Sequence, residues 1–127
     1  MSHSVLIVED EPDIRGMYAR KLTSSGYNVL TAEDGAEGLA VALEKRPDMI
    51  LLDYMMPKMN GLDMLKKLRE HDEWGKSVPT IMLTNINPND AMYKDIAATT
   101  PTYYLIKSNT NPIEVAEKIK ERLAEVK

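Results

Sequence analysis

The sequence predicts an α/β fold, a (βα)5 doubly wound parallel sheet with strand order 2-1-3-4-5 and helices on both faces. Three observations support this prediction. Short apolar runs alternate with segments of helical periodicity, most of these runs end at a polar residue, and the 127 residues accommodate five such units. Because strand–helix–strand crossovers are right-handed, repeated units of this kind build a parallel sheet that is covered on both sides.

Five segments are predicted to be strands. Four are largely apolar runs, which is the pattern of strands buried on both faces of a parallel sheet, and the remaining one is more polar. In chain order, the predicted strands are Val5–Val8, Tyr27–Thr31, Met49–Leu52, Pro79–Leu83 and Tyr103–Ile106.

Helical periodicity separates these strands, and several helices begin at a residue suited to capping. Asp34 and Asn60 each precede an acidic residue by three positions, and Asn111 precedes a proline. The predicted apolar faces contain Ile14, Met17, Tyr18 and Leu22; Ala36, Leu39, Ala40 and Leu43; Leu62, Leu65 and Leu68; and Val115, Ile119, Leu123 and Val126. A further helix is predicted over residues 88–98, and Trp74 is expected in a surface loop that covers an edge of the sheet.

Composition narrows the possible functions. The chain has 16 basic and 20 acidic side chains, a formal net charge of −4 and no cysteine. It therefore forms no disulfide, zinc–thiolate site or thiol nucleophile, and its acidic balance argues against a nucleic-acid-binding surface. The longest apolar run, Leu39–Leu43, is far shorter than a membrane span, and the N-terminus lacks a signal-peptide pattern. We expect residues 1–127 to form one cytoplasmic domain without an effector domain.

Polar side chains follow the predicted strands at the edge where open parallel sheets bind ligands. Glu9 and Asp10 follow the first strand, and Asp53 follows the third. Thr84 follows the fourth strand and Lys107 follows the fifth. Three carboxylates that lie close together are costly unless a cation neutralises them, and ligands that are all oxygens favour Mg²⁺. The pattern therefore predicts a magnesium site suited to phosphoryl chemistry.

Each of these side chains has a predicted role. Asp53 is the candidate nucleophile, because a carboxylate can form an acyl phosphate. Asp10 would bind Mg²⁺, helped by Glu9 directly or through a water molecule. Lys107 would place a positive charge near a phosphate oxygen, and the Thr84 hydroxyl would donate a hydrogen bond to another.

With these residues in place, the chain resembles the receiver domain of bacterial two-component response regulators, which has a flavodoxin-like fold. The resemblance covers nearly the whole chain. It rests on Leu6–Glu11, on Leu51–Gly61, on Thr84, and on Lys107 with Tyr104 three residues before it. It implies that a histidine kinase or a histidine phosphotransferase phosphorylates Asp53, and that Asp10, Asp53 and the main-chain carbonyl of Met55 bind Mg²⁺.

The resemblance also implies how the signal leaves the domain. Thr84 and Tyr104 would form a switch pair that responds to phosphorylation, and the face made by the 88–98 helix, the last strand and the last helix would bind a downstream protein. Such a protein would be a stand-alone receiver, a monomer or a phosphorylation-dependent homodimer, without direct nucleic-acid or membrane binding. Its chemistry would be limited to its own phosphorylation and dephosphorylation. Asn85 stands where the family usually has alanine or glycine, and Ser108 stands where it commonly has proline.

Three other functions compete with this interpretation. A phosphatase of the haloacid-dehalogenase type also uses Mg²⁺ and a nucleophilic aspartate, but it requires an aspartate two residues later, where this chain has Met55. A flavodoxin-like flavin carrier would need a phosphate-binding loop after the first strand, and none follows it. A receiver that is not phosphorylated and only binds partners is disfavoured, because the acid, hydroxyl and lysine positions are all filled.

Overall fold

The computed structural model describes residues 3–54, 56, 58–84, 103–106 and 111–125. Five parallel strands form one sheet in the order β2-β1-β3-β4-β5. The strands are β1 (Ser4–Val8), β2 (Asn28–Ala32), β3 (Met49–Asp53), β4 (Thr80–Thr84) and β5 (Tyr103–Ile106). The predicted doubly wound sheet is confirmed, and each strand boundary lies within one residue of its predicted position.

The helices found in the described part of the chain lie between or after these strands. They are α1 (Pro12–Ser24), α2 (Gly35–Lys45), α3 (Gly61–His71), the short α4 (Glu73–Ser77) and α5 (Pro112–Glu125). The helix predicted over residues 88–98 lies outside the described residues. Asp34, Asn60 and Asn111 each accept a hydrogen bond from the backbone N–H three residues further on, at 2.8–2.9 Å. These side chains therefore cap α2, α3 and α5 as predicted.

The sheet buries an apolar cluster on each face, because successive residues of a strand point to opposite sides. On one face, Leu6 and Val8 pack with side chains of α2 and α3. On the other face, Val5 and Ile7 pack with side chains of α1 and α5. Val115, Ile119 and Leu123 of α5 belong to the second cluster, whereas Val126 lies outside the described residues. β1, which lies between β2 and β3, is therefore buried on both faces of the sheet.

The predicted apolar face of α2 is wrong in part. Ala36 and Ala40 are exposed, whereas Gly38 and Ala42 are buried against the sheet. A Cβ atom on Gly38 would lie only 2.8 Å from Cγ1 of Val8. The helix thus packs on β1 through its smallest residue, which a count of apolar side chains does not identify.

The predicted face of α1 also needs one correction. Ile14, Tyr18 and Leu22 form the inward stripe, and Tyr18 and Leu22 are buried. Met17 was predicted on the same face but is 36% exposed. At 3.6 residues per turn, Met17 lies about 100° from the centre of that stripe, so it falls at the edge of the buried face.

Trp74 lies in the short helix α4 rather than in the surface loop predicted from the sequence. Asp72 caps this helix by accepting a hydrogen bond from the Gly75 N–H at 2.7 Å, and this bond is the main reason that the pKa of Asp72 is lowered. Arg46 donates to Asp72 at 2.7 Å, and its guanidinium carbon lies 5.3 Å from the centroid of the Trp74 ring. The end of α2 is thereby tied to the connection between α3 and α4.

Candidate functional site

Three carboxylates meet at the carboxyl edge of the sheet. Glu9 and Asp10 follow β1 directly, Asp53 ends β3, and one carboxylate oxygen of each lies within 4.8 Å of those of the other two. Glu9 is 3% exposed and Asp53 is 4% exposed, whereas Asp10 is half-buried. β1 and β3 are paired neighbours in the sheet, so the residues at their ends necessarily lie side by side. The structure thus brings together the acids that the sequence placed at this edge.

The backbone around these acids is anchored to neighbouring strands. The Glu9 N–H donates to the Ala32 carbonyl at 3.1 Å, and the Tyr54 N–H donates to the Leu83 carbonyl at 3.0 Å. Both bonds continue the parallel ladder just beyond the ends of β1 and β3. The two buried acids therefore lie on ordered backbone, which fixes where their side chains start.

The segment between β3 and α3 folds back onto the end of β3. The Gly61 N–H donates to the carbonyl of Tyr54 at 2.9 Å. A Cβ atom on Gly61 would overlap the carbonyl oxygen of Asp53, so only glycine allows α3 to begin this close to the strand. Gly61 thereby determines how α3 and the preceding loop surround Asp53.

Arg15 is a residue of this site that the sequence pattern did not identify. Its Nη1 donates to the carbonyl oxygen of Glu9 at 2.9 Å and to that of Asp10 at 3.4 Å. Its Nη2 lies 3.6 Å from Oε1 of Glu33, and the Arg15 side chain is 17% exposed. A cation close to a helix N-terminus opposes the helix dipole, so a basic residue there needs acceptors nearby. The sequence signal that could have identified Arg15 is its position as the fourth residue of α1.

A second ion pair joins two of the loops at this edge. Lys58 Nζ lies 3.6 Å from Oδ2 of Asp34, the cap of α2. The Gly35 N–H donates to the Met59 carbonyl at 3.1 Å across the same two loops. Because the Lys58 side chain is 75% exposed, its ion pair adds at most about 1 kcal/mol, and the backbone bond is the firmer link.

The other predicted site residues fall at the edges of the described structure. Thr84 ends β4 and pairs with Ile106 of β5, and the preceding residue of β4 pairs with Asp53. Tyr104 pairs with Met82 in the backbone register, two residues before Thr84. The side chains of Thr84 and Tyr104 lie outside the described structure, as do Met55 and Lys107 entirely.

The donor set of the site fits a hard divalent cation. Its three carboxylates supply only oxygen ligands, which Mg²⁺ prefers over softer metals. Two of the three carboxylates are nearly inaccessible to solvent, so a cation would offset repulsion that water cannot screen well. The residues present are therefore suited to holding Mg²⁺ at this edge.

Within the described ranges of the chain, none of the helices has both the length and the apolar character that crossing a bilayer requires.

Solved structures with this fold include receiver domains. The chemotaxis response regulator CheY4 of Vibrio cholerae is 34% identical to this chain, with a TM-score of 0.85 and coverage of 95% of this chain and 98% of CheY4. The receiver domain of the sensor histidine kinase PA1611 from Pseudomonas aeruginosa PAO1, solved with a magnesium ion coordinated in its active site cleft, is 29% identical. Its TM-score is 0.82, with 96% of this chain and 97% of that chain covered.

Curated relatives of this chain include transcriptional regulatory proteins. The phosphate regulon transcriptional regulatory protein PhoB of Pseudomonas aeruginosa is 34% identical over 117 residues, which are 92% of this chain and 50% of PhoB. The chain spans half or less of the length of the curated relatives that it matches first. The family model for the response regulator receiver domain matches residues 5–120. These similarities favour neither of the alternatives considered above, a phosphatase or an unphosphorylated interaction module. The chain therefore belongs to the response regulator receiver domain family.

Proposed function

We propose that Asp53 accepts a phosphoryl group from a histidine kinase or a histidine phosphotransferase in a Mg²⁺-dependent reaction. The observation that carries this proposal is the group formed by Glu9, Asp10 and Asp53, whose carboxylate oxygens lie within 4.8 Å of one another. Membership of the receiver family supports it, because receiver domains act as phosphorylation switches. The nucleophile and the carboxylate ligands of the metal would then belong to a single acidic cluster.

In this proposal, Asp10, Asp53 and the main-chain carbonyl of Met55 hold Mg²⁺, and Glu9 binds it directly or through water. When bound, the ion neutralises the cluster and the negative charge that develops on the transferring phosphoryl group. The magnesium ion reported for the receiver domain of PA1611 supports the choice of metal.

The transfer step is a nucleophilic displacement at phosphorus. A carboxylate oxygen of Asp53 forms the new bond to phosphorus, while the bond from phosphorus to the donor's histidine nitrogen breaks and its electron pair returns to the imidazole. Because Asp53 is 4% exposed, its backbone position and its surroundings limit the directions from which a donor can approach. Thr84 and Lys107 would contact oxygens of the transferred group. The protein's own chemistry would be its phosphorylation and subsequent dephosphorylation.

Thr84 and Tyr104 are proposed as the pair that reports phosphorylation to the surface. The adjacent backbones of β4 and β5, on which the two residues lie, support this pairing. The responding face would combine the 88–98 segment with β5 and α5, and a downstream protein would bind there. We propose that residues 1–127 act as one receiver domain through protein contacts rather than on nucleic acid, as a monomer or as a phosphorylation-dependent homodimer.

The proposal is tested by labelling the protein with a small phosphoramidate donor in the presence of Mg²⁺ and measuring intact mass. We expect wild type to gain one phosphoryl group, and we expect Asp53→Asn to gain none because its amide is not nucleophilic. Asp48→Asn is the matched control, since Asp48 is an exposed aspartate one residue before the opposite end of β3. Equal labelling of wild type and Asp53→Asn, or no labelling of wild type, would contradict the proposal.

A further inference from the structure

We propose that Arg15 is a positioning residue of the metal site, which holds the main chain of Glu9 and Asp10 so that their carboxylates face Asp53. The inference rests on the proposed function, because it assigns the acidic cluster to a divalent cation. Arg15 would act through carbonyl oxygens rather than by binding the cation or the phosphoryl group.

The two terminal nitrogens of Arg15 contact different groups, main-chain carbonyls on one side and a carboxylate on the other. Nη1 bridges the carbonyl oxygens of Glu9 and Asp10, at 2.9 Å and 3.4 Å. Nη2 is directed to Glu33, whose Oε1 lies 3.6 Å away. Only the planar fork of arginine can serve both directions at once, because a lysine offers a single point charge. The residue type is therefore matched to the geometry.

The low exposure of the Arg15 side chain also supports a positioning role. The Arg15 side chain is 17% exposed, so it rests against the protein rather than sampling solvent. Glu33 is 69% exposed and lies between β2 and α2, a connection that supplies no acid to the cluster. The Glu9 N–H is bonded to Ala32 at the end of β2, so the backbone of Glu9 is fixed by both its N–H and its C=O. Loss of Arg15 would leave only the first of these restraints.

Charge alone and positioning predict opposite effects on metal affinity. The Arg15 guanidinium and a bound Mg²⁺ are both positively charged and repel each other. If Arg15 acted only through its charge, Arg15→Ala would therefore bind Mg²⁺ more tightly than wild type. A positioning role predicts weaker binding, because the Glu9–Asp10 backbone is no longer held in place for the metal. The sign of the change therefore distinguishes the two roles.

The experiment measures Mg²⁺ affinity by calorimetry for wild type, Arg15→Ala, Arg15→Lys and Arg20→Ala. Arg20→Ala is the matched control, because it removes the same charge from an exposed position on the same helix. We expect Arg15→Ala to weaken binding about 10-fold, the lower end of the effect of losing a residue that orients metal ligands. Arg15→Lys should also bind more weakly than wild type, and Arg20→Ala should bind like wild type. Unchanged or tighter binding by Arg15→Ala would overturn the inference.

Amide hydrogen exchange without metal provides a readout that does not depend on the proposed function. We expect the Glu9 and Asp10 amides to exchange faster in Arg15→Ala than in Arg20→Ala, while the Ile50 amide of β3 is unchanged. If wild type binds no Mg²⁺, the proposed metal site fails, and this exchange difference alone decides whether Arg15 positions the loop. Identical exchange in both variants would refute the positioning role.

Discussion

Glu9 and Asp53 are acidic side chains almost fully removed from solvent, a placement that costs free energy unless each carboxylate has polar partners. Both take part in polar or electrostatic interactions. Their burial could be predicted from the sequence, because each follows four apolar residues of a strand buried on both faces. Arg15 could not be identified in the same way. Its contacts depend on the path of its long side chain, which runs from the first turn of α1 back to the carbonyls of Glu9 and Asp10.

At the same scale, we predict that Gly61→Ala disturbs the site. The added Cβ would overlap the carbonyl oxygen of Asp53, which is backbone and cannot move aside cheaply. We expect the free energy of unfolding to fall by about 1–3 kcal/mol, as for other overpacked sites, and Mg²⁺ affinity to fall with it. Chemical denaturation and calorimetry measure the two effects. Wild-type stability together with wild-type affinity would show that the end of β3 is not constrained by α3.

At the scale of elements, the position of α2 is set by a glycine rather than by large apolar side chains. A Cβ atom on Gly38 would lie 2.8 Å and 2.9 Å from the two Cγ atoms of Val8 and 3.0 Å from the sulfur of Met64. The sequence favoured Ala36 and Ala40 as inward residues, because alanine counts as apolar and glycine does not. The true face depends on how closely the helix approaches β1, and this distance is a property of the packed structure.

A matched pair of substitutions tests this packing. Gly38→Ala gains about 1 kcal/mol of helix propensity but loses more to overlap with Val8, so we expect a net destabilisation of about 1–2 kcal/mol. Gly16→Ala in α1 gains the same propensity, and its Cβ would meet only the flexible end of Arg20, at 3.2 Å. We expect this second variant to be stabilised by up to about 1 kcal/mol. Thermal unfolding measures both, and equal shifts of the same sign would contradict the packing argument.

At the scale of the whole molecule, the strand order follows from local pattern and handedness, which is why it could be predicted completely. The alternation of apolar runs and helices defines the units, and right-handed crossovers leave few ways to arrange them. The same reasoning placed Glu9, Asp10 and Asp53 at one edge. It did not predict the contacts between the loops at this edge. Such contacts, for example the ion pair of Lys58 with Asp34, join segments that are distant in sequence.

The cluster of carboxylates also leads to a prediction about global stability. Without metal, Asp10→Asn should stabilise the fold by about 1 kcal/mol or more, because it removes one of three like charges within 4.8 Å. In saturating Mg²⁺ the order should reverse, since wild type gains about 2.7 kcal/mol when the ion is at roughly 100 times its Kd and the variant gains less. Thermal unfolding with and without Mg²⁺ tests this. A metal-free variant less stable than wild type would show that the three acids do not repel one another in the folded protein.

The central claim is that Asp53 itself carries the phosphoryl group. Borohydride reduces an aspartyl phosphate to homoserine, so reduction after labelling with Mg²⁺ and donor, followed by peptide mass mapping, identifies the modified residue. We predict homoserine at position 53 only, and none when Mg²⁺ is omitted. A modified residue at position 9 or 10, or an unmodified peptide containing position 53 from labelled protein, would contradict the claim.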